Sequence, residues 1–94
     1  GLGDVYKRQF FNWANNNKIK TFATSPQAST IYTDVNFNQS IAIIFGSENK
    51  GLSNKVIDLS DNKISIPMLG QNDSLNVSSS ASIILYEALR QKSL

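Results

Sequence analysis

Apolar residues along this chain change their spacing several times, and each change marks an element. Phe10, Phe11, Trp13 and Ala14 gather on one side of a short helix that the polar run Asn15–Asn17 would end. Ile19–Ala23, reading IKTFA, then predicts a strand closed by Thr24, Ser25 and Pro26. Residues 27–39 read as a connection with one turn of helix and a short extended piece around Ile31 and Tyr32. Ile41–Phe45 is continuously apolar and rich in β-branched residues, the pattern of a central strand in a parallel sheet covered on both faces. Leu52, Val56, Ile57 and Leu59 recur at helical spacing behind Ser53, a good N-cap, before a turn at Ser60–Asn62. Ile64 and Ile66 flank Ser65 in a short strand that Pro67 stops, because proline cannot donate to a ladder. Val77, Ala81, Ile84, Leu85, Ala88 and Leu89 trace a final helix entered through SLNVSSS. The first nine residues, GLGDVYKRQ, fit neither period and read as a junction remnant or as the frayed end of a helix.

The resulting order is helix, strand, connection, strand, helix, strand, helix. Such alternation predicts an α/β domain with a parallel sheet, in which ligands bind beyond the carboxyl ends of the strands. Three loops fall there: Thr24–Gln27, Gly46–Gly51 and Pro67–Asn76.

Two of these loops carry residues that structure alone explains poorly. Gly46 allows a close approach to the backbone, and Glu48 places a carboxylate near the end of an apolar strand. A capping box built from Ser47 or Ser53 is the plain alternative. The loop lacks the GxxxxGK[ST] and GxGxxG patterns, and its glutamate repels phosphate, so a neutral or cationic ligand is expected. In the loop "IPMLGQNDSLNVSSS", Ser74 or Asn76 would serve as the helix N-cap, but Leu75 between them is surplus to a cap and suits an aromatic base slotted between loops.

Composition narrows the chemistry. Neither cysteine nor histidine occurs, which excludes disulfides, zinc sites built on those residues, and any imidazole or thiolate mechanism. No metal is expected. Nine Lys/Arg against seven Asp/Glu, scattered along 94 residues, permit an anionic partner without requiring one. No apolar run approaches the roughly 18 residues that would span a bilayer, so the expectation is a soluble protein without membrane contact.

"IAIIFGSENKGLS" followed by "ISIPMLGQNDSLNVSSSASIILYEALRQ" resembles the second and third motifs of the SpoU/TrmH family of RNA ribose 2′-O-methyltransferases, members of the SPOUT class. The resemblance rests on the G-S-E turn, the I-P-M strand end, the S-L-N helix start and the Y-E-A-L-R-Q ending, and "FATSPQAS" resembles the segment before the second motif. It covers roughly residues 10–92, and implies that residues 10–94 form the C-terminal portion of a SpoU-type domain truncated at its N-terminus. The implied fold is a parallel-sheet SPOUT fold with a C-terminal trefoil knot, a rarity among proteins. The implied cofactor is S-adenosylmethionine, held by Gly46, Ile66 and Leu75, with Met68 and Thr24 on the same wall. Glu48, Ser74 and Asn76 correspond to the residues on which catalysis depends. The implied substrate is ribosomal or transfer RNA, with ribosomal RNA preferred, and the implied assembly is a homodimer. The family's first motif, with its catalytic arginine, has no counterpart, since Arg8 lacks the motif around it and Arg90 sits in the last helix. The fragment is therefore expected to be inactive alone. The rival expectation is a noncatalytic RNA-binding α/β module using Lys18, Lys20, Lys50, Lys55 and Lys63.

Overall fold

A computed structural model describes residues 2–47, 50–67 and 76–93. Along them run α1 (Leu2–Asn16), β1 (Lys20–Thr24), a 3-10 turn (Tyr32–Asp34), β2 (Ile41–Ile44), α2 (Asn54–Leu59), β3 (Asn62–Ile64) and α3 (Val77–Ser93). The order matches the expected alternation.

Helix α1 reaches back to Leu2, so residues 2–9 share one helix with Phe10–Asn16, and Asp4 in its first turn pairs with Lys55 of α2 at 3.4 Å. Its end is a Schellman motif. Lys18 takes φ 57°, its N–H donates to the Asn15 carbonyl (3.2 Å), and the Ile19 N–H returns to the Ala14 carbonyl (2.8 Å). This reversal aims the chain directly into β1.

The sheet is parallel throughout, in the order β2-β1-β3. Phe22 aligns with Ile43 on one side and with Asn62 on the other. The expectation of a central Ile41–Phe45 strand is thus corrected: among the described residues β1 is central, and β2 forms an edge of half-buried residues. A continuous apolar run reports coverage of a strand's faces, and says nothing of its place across the sheet.

Alternation along β1 divides the core. Phe22 joins Phe37, Ile64, Ile84 and Ala88 on the α3 side, with Tyr32, Val35, Ile41, Ile43, Phe45 and Ile66 packed around them. Phe22 and Phe37 meet edge to face, centroids 5.0 Å apart. Thr21 and Ala23 point the other way, toward the side on which α1 and α2 approach β1. There the buried Ala14, Ala23 and Val56 are small enough to let helix and strand pack closely. Thr21 is buried but satisfied: its N–H and hydroxyl donate to Asp61 Oδ2 (2.8 and 3.0 Å), and the Asp61 N–H donates back to Thr21 Oγ1 (2.9 Å).

Candidate functional site

Because all three strands run the same way, their carboxyl ends open on one edge of the sheet. Side chains and turns stitch that edge together. Thr24 closes β1, and its hydroxyl donates to the Ile44 carbonyl at the end of β2 (3.0 Å). The next residue, Ser25, donates its N–H to the Ile64 carbonyl at the end of β3 (2.9 Å), then turns the chain with an Ala28 N–H bond to its own carbonyl (3.1 Å). Beyond β3, Ser65 pairs with Ile31 in a parallel bridge. The Ser65 N–H donates to the Thr30 carbonyl (2.9 Å) and the Tyr32 N–H to the Ser65 carbonyl (3.0 Å). The connection at residues 30–32 thereby prolongs the sheet past Ile64.

On the β2 side the chain leaves Phe45 into Gly46 and folds sharply back. Ser47 and Gly51 form an antiparallel bridge closed by the Gly51 N–H on the Ser47 carbonyl (2.9 Å), while Ser47 Oγ accepts from the Lys50 N–H (3.2 Å). Gly51 has φ +65°, a conformation that favours glycine. A Cβ on Gly46 would collide with the backbone of Gly51 and Leu52, standing 2.6 Å from the Gly51 Cα. The glycine is thus required first by its own loop, which returns across it. Ser53 then caps α2, its Oγ accepting from the Val56 N–H (3.3 Å), so the capping role falls to Ser53 and Ser47 serves the turn.

The structure therefore brings Gly46, Thr24 and Ile66 to the ends of three adjacent strands. Ile66 packs its side chain onto the core. Asn76 stands at the head of α3, where its Oδ1 accepts from the Ser79 N–H (2.8 Å) and its carbonyl from the Ser80 N–H (3.0 Å), the geometry of an N-cap. Glu48, Met68, Ser74 and Leu75 lie outside the described residues. Among the described residues no cluster of three or more acidic side chains is placed to hold a metal ion, and no helix is long and apolar enough to cross a membrane.

The profile of the SpoU rRNA methylase family matches residues 6–86. The chain belongs to that family. It is 44% identical over 61 residues to a tRNA (guanosine(18)-2'-O)-methyltransferase of Thermus thermophilus, covering 65% of this chain and 31% of that protein. A crystal structure of an RNA 2'-O ribose methyltransferase superposes with a TM-score of 0.84 at 39% identity, over 93% of this chain and 34% of that one. The SpoU methyltransferase AviRb from Streptomyces viridochromogenes, crystallised with AdoMet, superposes with a TM-score of 0.80 at 33% identity, over 98% of this chain and 35% of its own. This SpoU-family chain spans 27% and 31% of the length of the first two curated relatives it matches.

Sequence reasoning missed a polar group on the buried side of α3. Arg90 donates from Nε and Nη2 to Glu87 (2.7 and 3.0 Å), and Gln91 Nε2 adds a third bond at 2.8 Å. These donors, Arg90 first, hold the Glu87 carboxyl at about 2 against an ordinary 4.5, outweighing the opposite push of burial; Glu87 in turn raises Arg90. The signal was present: Glu87 and Gln91 share the face of Ile84 and Ala88 at i, i+3, i+4, i+7 spacing.

Proposed function

We propose that this chain carries the cofactor-binding part of an S-adenosylmethionine-dependent RNA ribose 2′-O-methyltransferase. The observation that carries the reading is the convergence of Gly46, Thr24 and Ile66 on the carboxyl edge of one parallel sheet, with Gly46 under the returning backbone of Gly51 and Leu52, Thr24 bonded through its hydroxyl to the Ile44 carbonyl, and Ile66 packed on the core. Preorganised backbone at an apolar edge suits a flat adenosine, since little ordering cost remains on binding. Gly46 and Ile66, with Thr24 beside them, would hold the nucleoside, and Met68 and Leu75 complete the wall by resemblance. When bound, the cofactor supplies an electrophilic methyl on a sulfonium. The chain's share would then be positional: Asn76, with Glu48 and Ser74 by resemblance, would orient the substrate ribose toward that methyl. The hydroxyl proton needs a base, and the only arginine described near the core, Arg90, is committed to Glu87. Residues 10–94 are accordingly read as the C-terminal part of a knotted SpoU domain, inactive without the first motif, working in the cytoplasm as a homodimer on ribosomal RNA in preference to transfer RNA.

Titration calorimetry with S-adenosylmethionine tests the reading. The parent protein binds with about one site per chain, and Gly46→Val abolishes the heat because the valine forces the loop open; absence of heat with the parent refutes it. Salt-sensitive RNA binding that ignores the cofactor would instead support the lysine-based module. That reading is weakened by two of its five lysines, Lys55 and Lys63, already pairing with Asp4 (3.4 Å) and Asp58 (3.9 Å).

A further inference from the structure

Gln91 lies near the far end of α3 from Asn76 and reaches across to the connection between β1 and β2. Its Nε2 donates to the Val35 carbonyl (3.0 Å) and its Oε1 accepts from the Phe37 N–H (2.6 Å). Those are the two backbone groups that a neighbouring strand would engage, so one side-chain amide takes a strand's place. Glu87 fixes which way that amide faces. Because its carboxylate accepts from Gln91 Nε2 at 2.8 Å, Oε1 is left aimed at Phe37, and Arg90 holds the carboxylate in turn through two bonds. Glu87 is only 8% exposed.

This arrangement does what the apolar contacts around it cannot. Ile84 and Ala88 hold α3 against Phe22, Phe37 and Ile64, but apolar packing is non-directional and tolerates small slides and tilts. Hydrogen bonds to two fixed backbone groups do not. Asn76 and Gln91 are separated by about 22 Å of helix at roughly 1.5 Å per residue. A tilt of about 5° at the clamped end would move Asn76 by about 2 Å, more than a positioned site tolerates.

We propose that Glu87 and Gln91 are positioning residues, a clamp at one end of α3 that sets where Asn76 stands relative to the strand ends and, because Asn76 directly follows the Leu75 assigned above to the cofactor wall, thereby tunes cofactor affinity. The inference rests on the cofactor reading above. Gln91→Leu removes the clamp at nearly constant volume, Glu87→Gln keeps an acceptor for Arg90 without the charge, and Lys92→Ala is the control on an exposed neighbour. In calorimetry Gln91→Leu weakens S-adenosylmethionine binding roughly 3- to 30-fold, the range expected of coupling through a packed element, at unchanged stoichiometry. Glu87→Gln falls between that variant and the parent, and Lys92→Ala matches the parent. A parent-like dissociation constant in Gln91→Leu overturns the proposal. So does a reduced number of sites at unaltered affinity, the mark of a merely structural loss. If Gln91→Leu does not fold, the same criteria apply to Glu87→Gln. If the parent gives no heat, the cofactor reading fails by itself, and the clamp is judged by nuclear magnetic resonance: the Asn76 side-chain amide signals move in Gln91→Leu, and stationary signals refute the coupling.

Discussion

Lys18 is held at φ 57° by the Schellman closure of α1, in a region where a side chain crowds the following carbonyl. Glycine would relieve that crowding while giving back some unfolded-chain entropy, so Lys18→Gly stabilises the protein by about 0.5–1 kcal/mol net. The gain is read as a higher urea midpoint at unchanged slope; a lower midpoint would mean that the lysine stem contributes packing that outweighs the strain. Gly46 presents the converse case. No unusual dihedral protects it, and what forbids a larger residue is the returning backbone of Gly51 and Leu52. The sequence marked Gly46 as special, but the reason, a loop that closes on itself before any ligand arrives, exists only in three dimensions.

Helix α3 depends on ionisation through Glu87. Glu87 sits at about 2 in the folded chain and at its ordinary 4.5 when exposed. The folded state therefore binds its proton less tightly, and the contribution of Glu87 is fully present above pH 4.5 and lost as pH falls from there toward 2. Thermal melts of the parent and of Glu87→Gln should differ most at pH 6–7 and converge by about pH 2–3. A constant gap across that window would show that the carboxylate's charge is not what Arg90 and Gln91 reward. The order of elements was legible because periodicity switches cleanly between IKTFA, IAIIF and the stripe through Ile84 and Ala88. Strand neighbours were not legible, because a five-residue apolar run looks alike at the centre and at an edge. Phe37 was read as loop, although it is wholly buried, since its partners Phe22 and Gln91 lie 15 and 54 residues away. Of the site, the positions of Gly46, Thr24 and Asn76 at element ends followed from local pattern, whereas the bonds joining Thr24 to Ile44 and Ser25 to Ile64 depend on register.

Across the whole molecule, the apolar surface is unevenly placed. On α3, Leu85, Tyr86 and Leu89 are 60%, 73% and 59% exposed, and on α1 Val5, Tyr6 and Trp13 are each more than half exposed. Contiguous apolar helix surface of this kind drives association, and the proposed homodimer would cover it. Sedimentation should show concentration-dependent dimers, and Tyr86→Glu combined with Leu89→Glu should shift them to monomers without loss of helical signal. A parent that stays monomeric at high concentration would remove this stripe from consideration as an interface.

The bond between Phe37 and Gln91 joins segments made far apart in time on the ribosome. A nascent chain will have produced β1, β2 and β3 well before Gln91 emerges, so the backbone groups of Val35 and Phe37 wait for translation to pass residue 91 before this amide meets them. A chain stopped short of Gln91 would lose that closure while keeping β1, β2 and β3 in full.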